Sequence, residues 1–382
     1  MFIHQVTVKN YRSLRNVQIG NLQPIVVFYG DNDSGKSNIL SFLDYVFRPK
    51  QEQVLPETET TEAPVTASVF WRGEIDDFSD NFYKNQSDPI EFTIVVRFSR
   101  QELDVITGTA EVSAKLSEEN DNANLSINGR GRIDPIGSDR AKMVLVEARL
   151  NNKSFYSTDD AGPKYLSDFG LAAAQALDAF NKVMGSLDNG FVRVPANRFI
   201  ATEKEMQSSE VAQLDASTFK NWLFQISLNR DTERMFRDIS DEFAAEPFSH
   251  GRLSLARVGE NLEVFVERKD GFKLPLGRKG TGVQQLLMIL AYVAVSKAPI
   301  VGIEELEINL SPQSQTAIFN DLLRIIQGGG PIKQIFLTTH SPTIAKRNEA
   351  AVRAISMNAN EETEVSLRSE GQVHDFFKFP FS

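Results

Sequence analysis

The sequence predicts an α/β protein with a mostly parallel core sheet, an antiparallel β insertion and a helical subdomain. Three observations predict it. The apolar runs Pro24–Tyr29 and Pro299–Ile303 read as buried strands, each followed by a stretch with apolar residues at helical spacing. After residue 280 the pattern alternates helix, strand, helix, strand, helix, which argues a parallel sheet covered by helices. From Ala67 to about Ser157 it changes to short strands separated by Gly, Asn and Asp turns.

In chain order, Ile3–Val8 alternates as a strand, Asn10–Leu14 is a turn, and Val17–Ile19 resumes a strand. Pro24–Tyr29 and the helix Asn38–Phe47 follow. The run Pro49–Pro64 is acidic and proline-bearing and is expected to be an exposed, mobile loop. Ser68–Trp71, Ile90–Phe98, Asn124–Ile133 and Lys142–Leu150 are the strands of the insertion. Leu166–Leu187 and Ser217–Phe243 carry helical spacing, the second capped by Ser217 and Thr218. Glu203–Gln213 is polar and reads as mobile. A hairpin is expected at Leu253–Val266, then the helix Leu286–Val295, the strand Pro299–Ile303, the helix Pro312–Ile326, the strand Gln334–Thr338 and a tail with one or two strands. The organisation expected is one split unit: 1–48 as an N-terminal lobe, 49–165 as the β-rich insertion, 166–250 as the helical subdomain, and 251–382 as a C-terminal lobe.

Between the first buried strand and its helix lies GDNDSGKS, Gly30 to Ser37, which fits the phosphate-binding pattern G-x-x-x-x-G-K-[ST]. The spacing suits the chemistry. Gly30 and Gly35 let the backbone curl so that the N–H groups of Asp31, Asn32, Asp33, Ser34 and their neighbours face phosphate oxygens, and the helix start at Gly35–Asn38 adds its positive end. Lys36 reaches β- and γ-phosphates, and Ser37 offers a hydroxyl to Mg²⁺. A nucleotide triphosphate with Mg²⁺ is the ligand this motif predicts.

Composition bounds the alternatives. The 382 residues, 41% hydrophobic and 24% charged, describe an ordinary globular protein. The chain has no cysteine, which excludes disulfides, thiolate metal sites and a cysteine nucleophile. The four histidines, His4, His250, His340 and His374, are scattered, against a histidine-rich metal site. No apolar stretch approaches the roughly 20 residues that span a bilayer, and the N-terminus lacks a signal-peptide core, so a cytoplasmic location without a membrane partner is expected. A net charge of −10 is acidic for a broad nucleic-acid surface.

Three further signals follow the loop. Glu304 and Glu305 end an apolar strand, where one carboxylate can hold Mg²⁺ and the next polarise the attacking water. His340 ends the next strand, where an imidazole can bond a γ-phosphate or the water. Thr281-Gly282 opens a helix after Arg278 and Lys279 and offers an anion N–H groups and a hydroxyl.

Taken in order, these elements resemble the head of the ABC-type ATPases, in the branch that includes the OLD-family (overcoming lysogenization defect) and RecF/SMC-like ATPases. IEELEINLSP at Ile303–Pro312 looks like that branch's I-E-E-P-E-x-x-L-x-P, and TTHSP at Thr338–Pro342 like its switch histidine motif. GTGVQQ at Gly280–Gln285 is similar to its signature motif, and VKNYRSL at Val8–Leu14 to its N-terminal element. The resemblance implies a P-loop fold with ATP sandwiched between two heads, Lys36 and Ser37 of one facing Thr281 and Gly282 of the other. It also implies Mg²⁺ supported by Glu304, water activated by Glu305, the γ-phosphate sensed by His340, and Arg12 near the nucleotide. The sequence departs from the pattern at Leu306, in place of proline, and in the signature, which is not L-S-G-G-Q. The glutamine that usually links the β insertion to Mg²⁺ has no clear counterpart; Gln51 and Gln53 are nearby.

OLD nucleases carry a Toprim domain after the ATPase, and Ser341–Ser382 is too short for one. The expectation is therefore an ATP-hydrolysing sensor or scaffold, a homodimer with room for higher assembly, working with a separately encoded nuclease or toxin. Such stand-alone heads resemble ATPase components of bacterial anti-phage systems. The alternative is a RecF-like DNA-repair ATPase that binds nucleic acid along Arg193, Arg198, Arg252, Arg257, Lys273, Arg278 and Lys279. A third reading is a nucleotide switch with negligible turnover.

Overall fold

The computed structural model describes residues 1–47, 70–71, 88–117, 122–133, 141–159, 162–164, 169–188, 190–196, 198, 200–204, 206, 214, 216–246, 249–295, 298–346 and 352–367. The expected loop Pro49–Pro64, with Gln51 and Gln53, lies outside them, as does most of Glu203–Gln213.

Six strands form the core sheet in the order Phe191–Val194, Ile300–Ile303, Gln334–Thr339, Ile25–Tyr29, Val352–Met357 and Thr363–Leu367. The first five run parallel and the last is antiparallel. As expected, the strand before the phosphate loop sits in the same sheet as the strands after residue 280. Both faces are covered, so alternate residues feed two different cores. Val26, Phe28, Ile300 and Phe336 join one; Ile25, Val27, Val301, Ile303, Ile335 and Leu337 join the other. That is why these strands read as unbroken apolar runs.

Over the first face lies the helix Lys36–Val46, and over that helix a second, antiparallel sheet of eight strands. Its order is Leu14–Ile19, Phe2–Tyr11, Ile90–Ser99, Asn122–Ile133, Ala141–Leu150, Lys153–Asp159 and Gly162–Lys164, with Phe70–Trp71 pairing on Ala141–Leu150. The sheet thus joins the N-terminal strands to those read as an insertion. Ile90–Ser99 alternates strictly between buried and half-buried residues, the pattern of a strand with one face in the core. Phe42 of the helix meets Tyr11 and Phe92 edge-on at 5.3 and 5.5 Å. Burying such a ring contributes about 2–3 kcal/mol. The two sheets are also tied directly. The buried Gln334 side chain accepts from Ile3 N at 2.8 Å and donates to Ile3 O at 2.9 Å, beside a bulge between Ile3 and Gln5.

The second face carries the helices Thr281–Val295 and Pro312–Gln327, then the helices Phe219–Leu228 and Glu233–Ala244 and a small sheet. In that sheet Asn261–Glu267 pairs with Arg252–Val258 on one side and with Glu203–Lys204 and Lys273–Pro275 on the other. Thr281–Val295 is buried from Gln284 to Val293, as an all-round apolar helix must be.

The structure corrects several expectations. Ser217–Phe243 is two helices, broken at Asn229–Thr232, where the Thr232 hydroxyl donates to Ile226 O at 3.0 Å. Thr218 makes no side-chain cap. The cap comes from Glu203, a buried residue in a stretch read as mobile, whose carboxylate accepts from Lys220 N and Asn221 N at 2.8 and 2.9 Å. Inside the stretch read as strands lie two helices, Arg100–Thr107 and Ala110–Leu116. Ser99 and Glu102 form a capping box that starts the first. Among the described residues no helix is long and apolar enough to cross a membrane.

Candidate functional site

Parallel strands aligned in register end together, and their carboxyl ends form one edge. Tyr29 lies opposite Thr339, Leu337 opposite Ile303, and Ile303 opposite Val194. The residues that follow these strands, Gly30, His340, Glu304 and Pro195, therefore gather at that edge, the usual place for a ligand in an open α/β sheet.

The phosphate loop is shaped by what surrounds it. Gly30 N–H donates to Thr339 O at 3.4 Å, and the carbonyl of Ile355 occupies the space a Gly30 side chain would need. Gly35 has φ 94°, in the left-handed region that favours glycine, and faces the Thr363 hydroxyl. The helix Lys36–Val46 begins there with no acidic residue in its first turn, so its positive end is uncompensated. Ser37 and Asp31–Asp33 are exposed, whereas Ser34 and Lys36 are buried. Lys36 Nζ donates to Gly30 O at 2.8 Å and Asp31 O at 2.6 Å, folded back across its own loop. Burial lowers its pKa, against the pull of Glu305, Glu307, Asp31 and Asp33.

A one-way chain of hydrogen bonds holds the loop from outside. The Thr363 hydroxyl donates to Ser34 O at 3.1 Å, so it must accept from Ser13 Oγ, 2.6 Å away. Ser13 Oγ in turn accepts from Asn38 Nδ2 at 2.8 Å, and Arg12 Nη1 reaches Asn38 Oδ1 at 3.4 Å. Arg12, expected near the nucleotide, thus touches the first turn of the loop's helix, from a backbone position of φ 49°.

The two acids after Ile303 have different surroundings. Glu304 is buried, with Oε1 ion-paired to Arg193 at 2.7 Å and Oε2 accepting from Ala196 N at 3.4 Å. Glu305 adopts φ 44°, uncommon for a residue with a side chain, and its carboxylate has no hydrogen-bond or ion-pair partner among the described residues. Its backbone is held at both ends: its N–H donates to Thr338 Oγ1 at 3.0 Å, and its carbonyl accepts from Arg198 Nη2 at 2.9 Å.

Arg198 is the residue the sequence reading misplaced. Instead of joining a surface track, it is fully buried. It donates to Pro195 O, Glu304 O and Glu305 O at 2.5, 2.7 and 2.9 Å, and to Gln285 Oε1 at 3.2 Å. Burial brings its pKa down to about 10, opposed by Glu304, Glu307 and Glu305, so the guanidinium stays charged at neutral pH. Arg193 leaves the expected track too, through its pair with Glu304. Of the others, Arg252 pairs with Asp241 and Lys273 with Glu267 on the surface.

Thr281 and Gly282 open the helix Thr281–Val295. Gly282 packs on the carbonyl of Asn309, in the turn after the acids. Thr281 borders a cleft of 370 Å³ with Ala196, Arg198, Gln284, Gln285 and Asn309. His340 is half-exposed at the end of its strand, 2.9 Å through Nδ1 from Glu307 Oε1. Glu307 carries no role in the sequence reading, although the matching motif also has an acid there.

Residues 25–346 match the family model described as an AAA domain, putative AbiEii toxin, type IV TA system. The chain belongs to this family. Among solved structures, the Smc head domain with an extended coiled coil bound to the C-terminal domain of ScpA, derived from Pyrococcus furiosus, has a TM-score of 0.50 at 14% identity, covering 99% of this chain and 98% of that one. The SMC head domain from Thermotoga maritima gives 0.45 at 13% identity, over 97% of this chain and 100% of that one. The Pyrococcus likeness shows the fold, a P-loop ATPase head. An uncharacterized protein of Methanocaldococcus jannaschii is 44% identical over 45 residues, 12% of this AAA-family chain and 14% of the relative's length.

Proposed function

We propose that this chain binds ATP with Mg²⁺ at Gly30–Asn38 and hydrolyses it to ADP and phosphate between two copies of the head. In this reading it is a cytoplasmic sensor or scaffold that works with a separately encoded effector, a nuclease or toxin, in anti-phage defence. The observation that carries the reading is the convergence at one sheet edge of Lys36, the half-exposed His340 and the Glu305 carboxylate, which has no hydrogen-bond or ion-pair partner among the described residues.

The residues present fit the ligand. A helix start with no acid in its first turn, a glycine cradle and an amine bonded to its own loop's carbonyls form an anion site. A triphosphate replaces those carbonyls as the partner of Lys36 Nζ. Ser37 Oγ and Glu304 would hold Mg²⁺, which would supply neutralisation of charge developing on the phosphates. As a ligand, Glu304 would have to share or release Arg193, its present ion-pair partner. The left-handed turn at Glu305 aims a carboxylate that takes the proton of the attacking water. Thr281, beside its cleft, meets the γ-phosphate held by the partner copy. The family's description as a toxin–antitoxin domain supports a defence role.

The test is multiple-turnover phosphate release by the wild type and by Glu305→Gln, with mass analysis of what each tagged form pulls down from its native host. Turnover abolished in the variant, with ATP retained in a trapped dimer and a nuclease or toxin captured, is the expected result. A wild type that binds no ATP overturns the reading. A head dimer captured with DNA alone replaces the effector with a repair role.

A further inference from the structure

Glu307 is a buried carboxylate with both oxygens committed to the switch segment. Oε2 accepts from the Thr339 hydroxyl at 2.7 Å. Oε1 accepts from the backbone N–H of His340 at 2.6 Å and lies 2.9 Å from His340 Nδ1. The Glu307 side chain is 5% exposed and that of His340 48% exposed. An acid so enclosed is costly unless its acceptors are filled, and three donors of one short segment fill them. Its backbone is fixed as well, since Glu307 O accepts from Leu310 N at 3.0 Å.

We infer that Glu307 is a positioning residue for His340: its carboxylate holds the proton on Nδ1 and turns Nε2 outward, toward whatever the phosphate loop binds. A carboxylate can only accept, so the ring nitrogen it faces must carry hydrogen. The same oxygen grips the backbone N–H of the residue whose ring it orients, which fixes position and rotation together. Thr339 completes the clamp from the strand's last residue. The chemistry at the loop thus depends on a residue two places past Glu305 that never touches the nucleotide.

The inference rests on the proposed reading of His340 as the group facing bound nucleotide, and the experiment separates the two. The ¹⁵N-histidine spectrum of the nucleotide-free protein, assigned with His340→Ala, reports which ring nitrogen carries hydrogen. Wild type is expected to show Nδ1–H, and Glu307→Ala to lose it. Glu307→Gln keeps it, because the amide oxygen can take the place of Oε1 while its NH₂ meets Thr339 Oγ as an acceptor. In turnover, Glu307→Ala is expected to slow kcat about 100-fold with little change in KM for ATP. The double variant with His340→Ala is no slower than His340→Ala alone, since the two act as one unit. Glu307→Gln stays near wild type, and it covers the case in which Glu307→Ala folds poorly. A wild-type rate in His340→Ala overturns the reading of His340 as the group facing nucleotide, and with it the dependence of turnover on Glu307. An unchanged histidine spectrum in Glu307→Ala, or effects that multiply in the double variant, overturns the inference while leaving that reading standing.

Discussion

Replacing Arg198 with Met keeps most of the side-chain volume and deletes the guanidinium. In the folded protein that group donates to three carbonyls and to Gln285 Oε1 with no exposed surface. One of the carbonyls, Glu305 O, keeps a second donor in Ile308 N at 3.1 Å. Among the described residues the stranded acceptors are therefore the buried Glu304 O and Gln285 Oε1, each costing about 1–3 kcal/mol without a partner, and the half-buried Pro195 O, costing less. The substitution also removes a cation that interacts with Glu304, Glu305 and Glu307. Relief of the buried charge offsets part of this, and a net loss of about 4 kcal/mol is expected, the usual scale for breaking a buried charged network. At about 2.1 cal/mol/K per residue, a chain of 382 residues loses about 5 °C of melting temperature. The assay is a calorimetric melt of the nucleotide-free protein, with Arg198→Lys as the intermediate case because an ammonium cannot span all four acceptors. A melting temperature within about 1 °C of wild type, far below the shift expected from those losses, refutes the argument that these acceptors depend on Arg198.

Two further outcomes follow from the same geometry. Gly35→Ala puts a side chain at φ 94° and against the Thr363 hydroxyl; it is expected to cost about 1–3 kcal/mol and to weaken ATP affinity more than overall stability, measured by calorimetric titration beside a urea melt. Asp321→Asn tests a pH dependence. Burial pushes the Asp321 carboxyl from 3.8 up to about 6, despite Arg324 beside it. A folded-state pKa above the unfolded one means the folded protein holds the proton more tightly, so this group opposes folding above about pH 6 and the penalty fades as pH falls toward 4. Asp321→Asn should therefore gain about 3 kcal/mol at pH 8 and about 0.5 kcal/mol at pH 4, read from urea unfolding at both values.

The core was legible because its strands are short, apolar and bounded by the residues that do chemistry. Ile25–Tyr29 ends at Gly30, Ile300–Ile303 at Glu304, and Gln334–Thr339 at His340. Motif and strand end coincide, so the loop, the acid pair and the histidine could be placed before any coordinates. What stayed hidden depends on contacts between distant residues. Arg198 looks like any surface arginine until the strand Phe191–Val194 is known to lie beside Ile300–Ile303. Glu203 sits in a polar stretch with no periodicity, yet caps a helix that begins sixteen residues later, at Phe219. Glu307 had a weak signal, a third acid in IEELE, which residue type alone could not separate from a solvated turn. The helices at 100–116 were missed because Ser99 and Glu102 were read within a strand-rich window rather than as a capping box.

The hydrogen-bond chain from Asn38 through Ser13 and Thr363 to the Ser34 carbonyl also bears on how the protein is made. The motif itself emerges from the ribosome with the strand Ile25–Tyr29 and the helix Lys36–Val46. Its wall does not: the carbonyl of Ile355 that shapes Gly30 and the hydroxyl of Thr363 that braces Ser34 come more than 300 residues later. The strand Gln334–Thr339, on which Gly30 hangs, is nearly as late. A nascent chain therefore carries the motif long before it carries the site. On the proposed reading, nucleotide affinity waits for the strand Val352–Met357 and for Thr363, and from that moment a bound ligand stabilises the joined early and late segments by mass action.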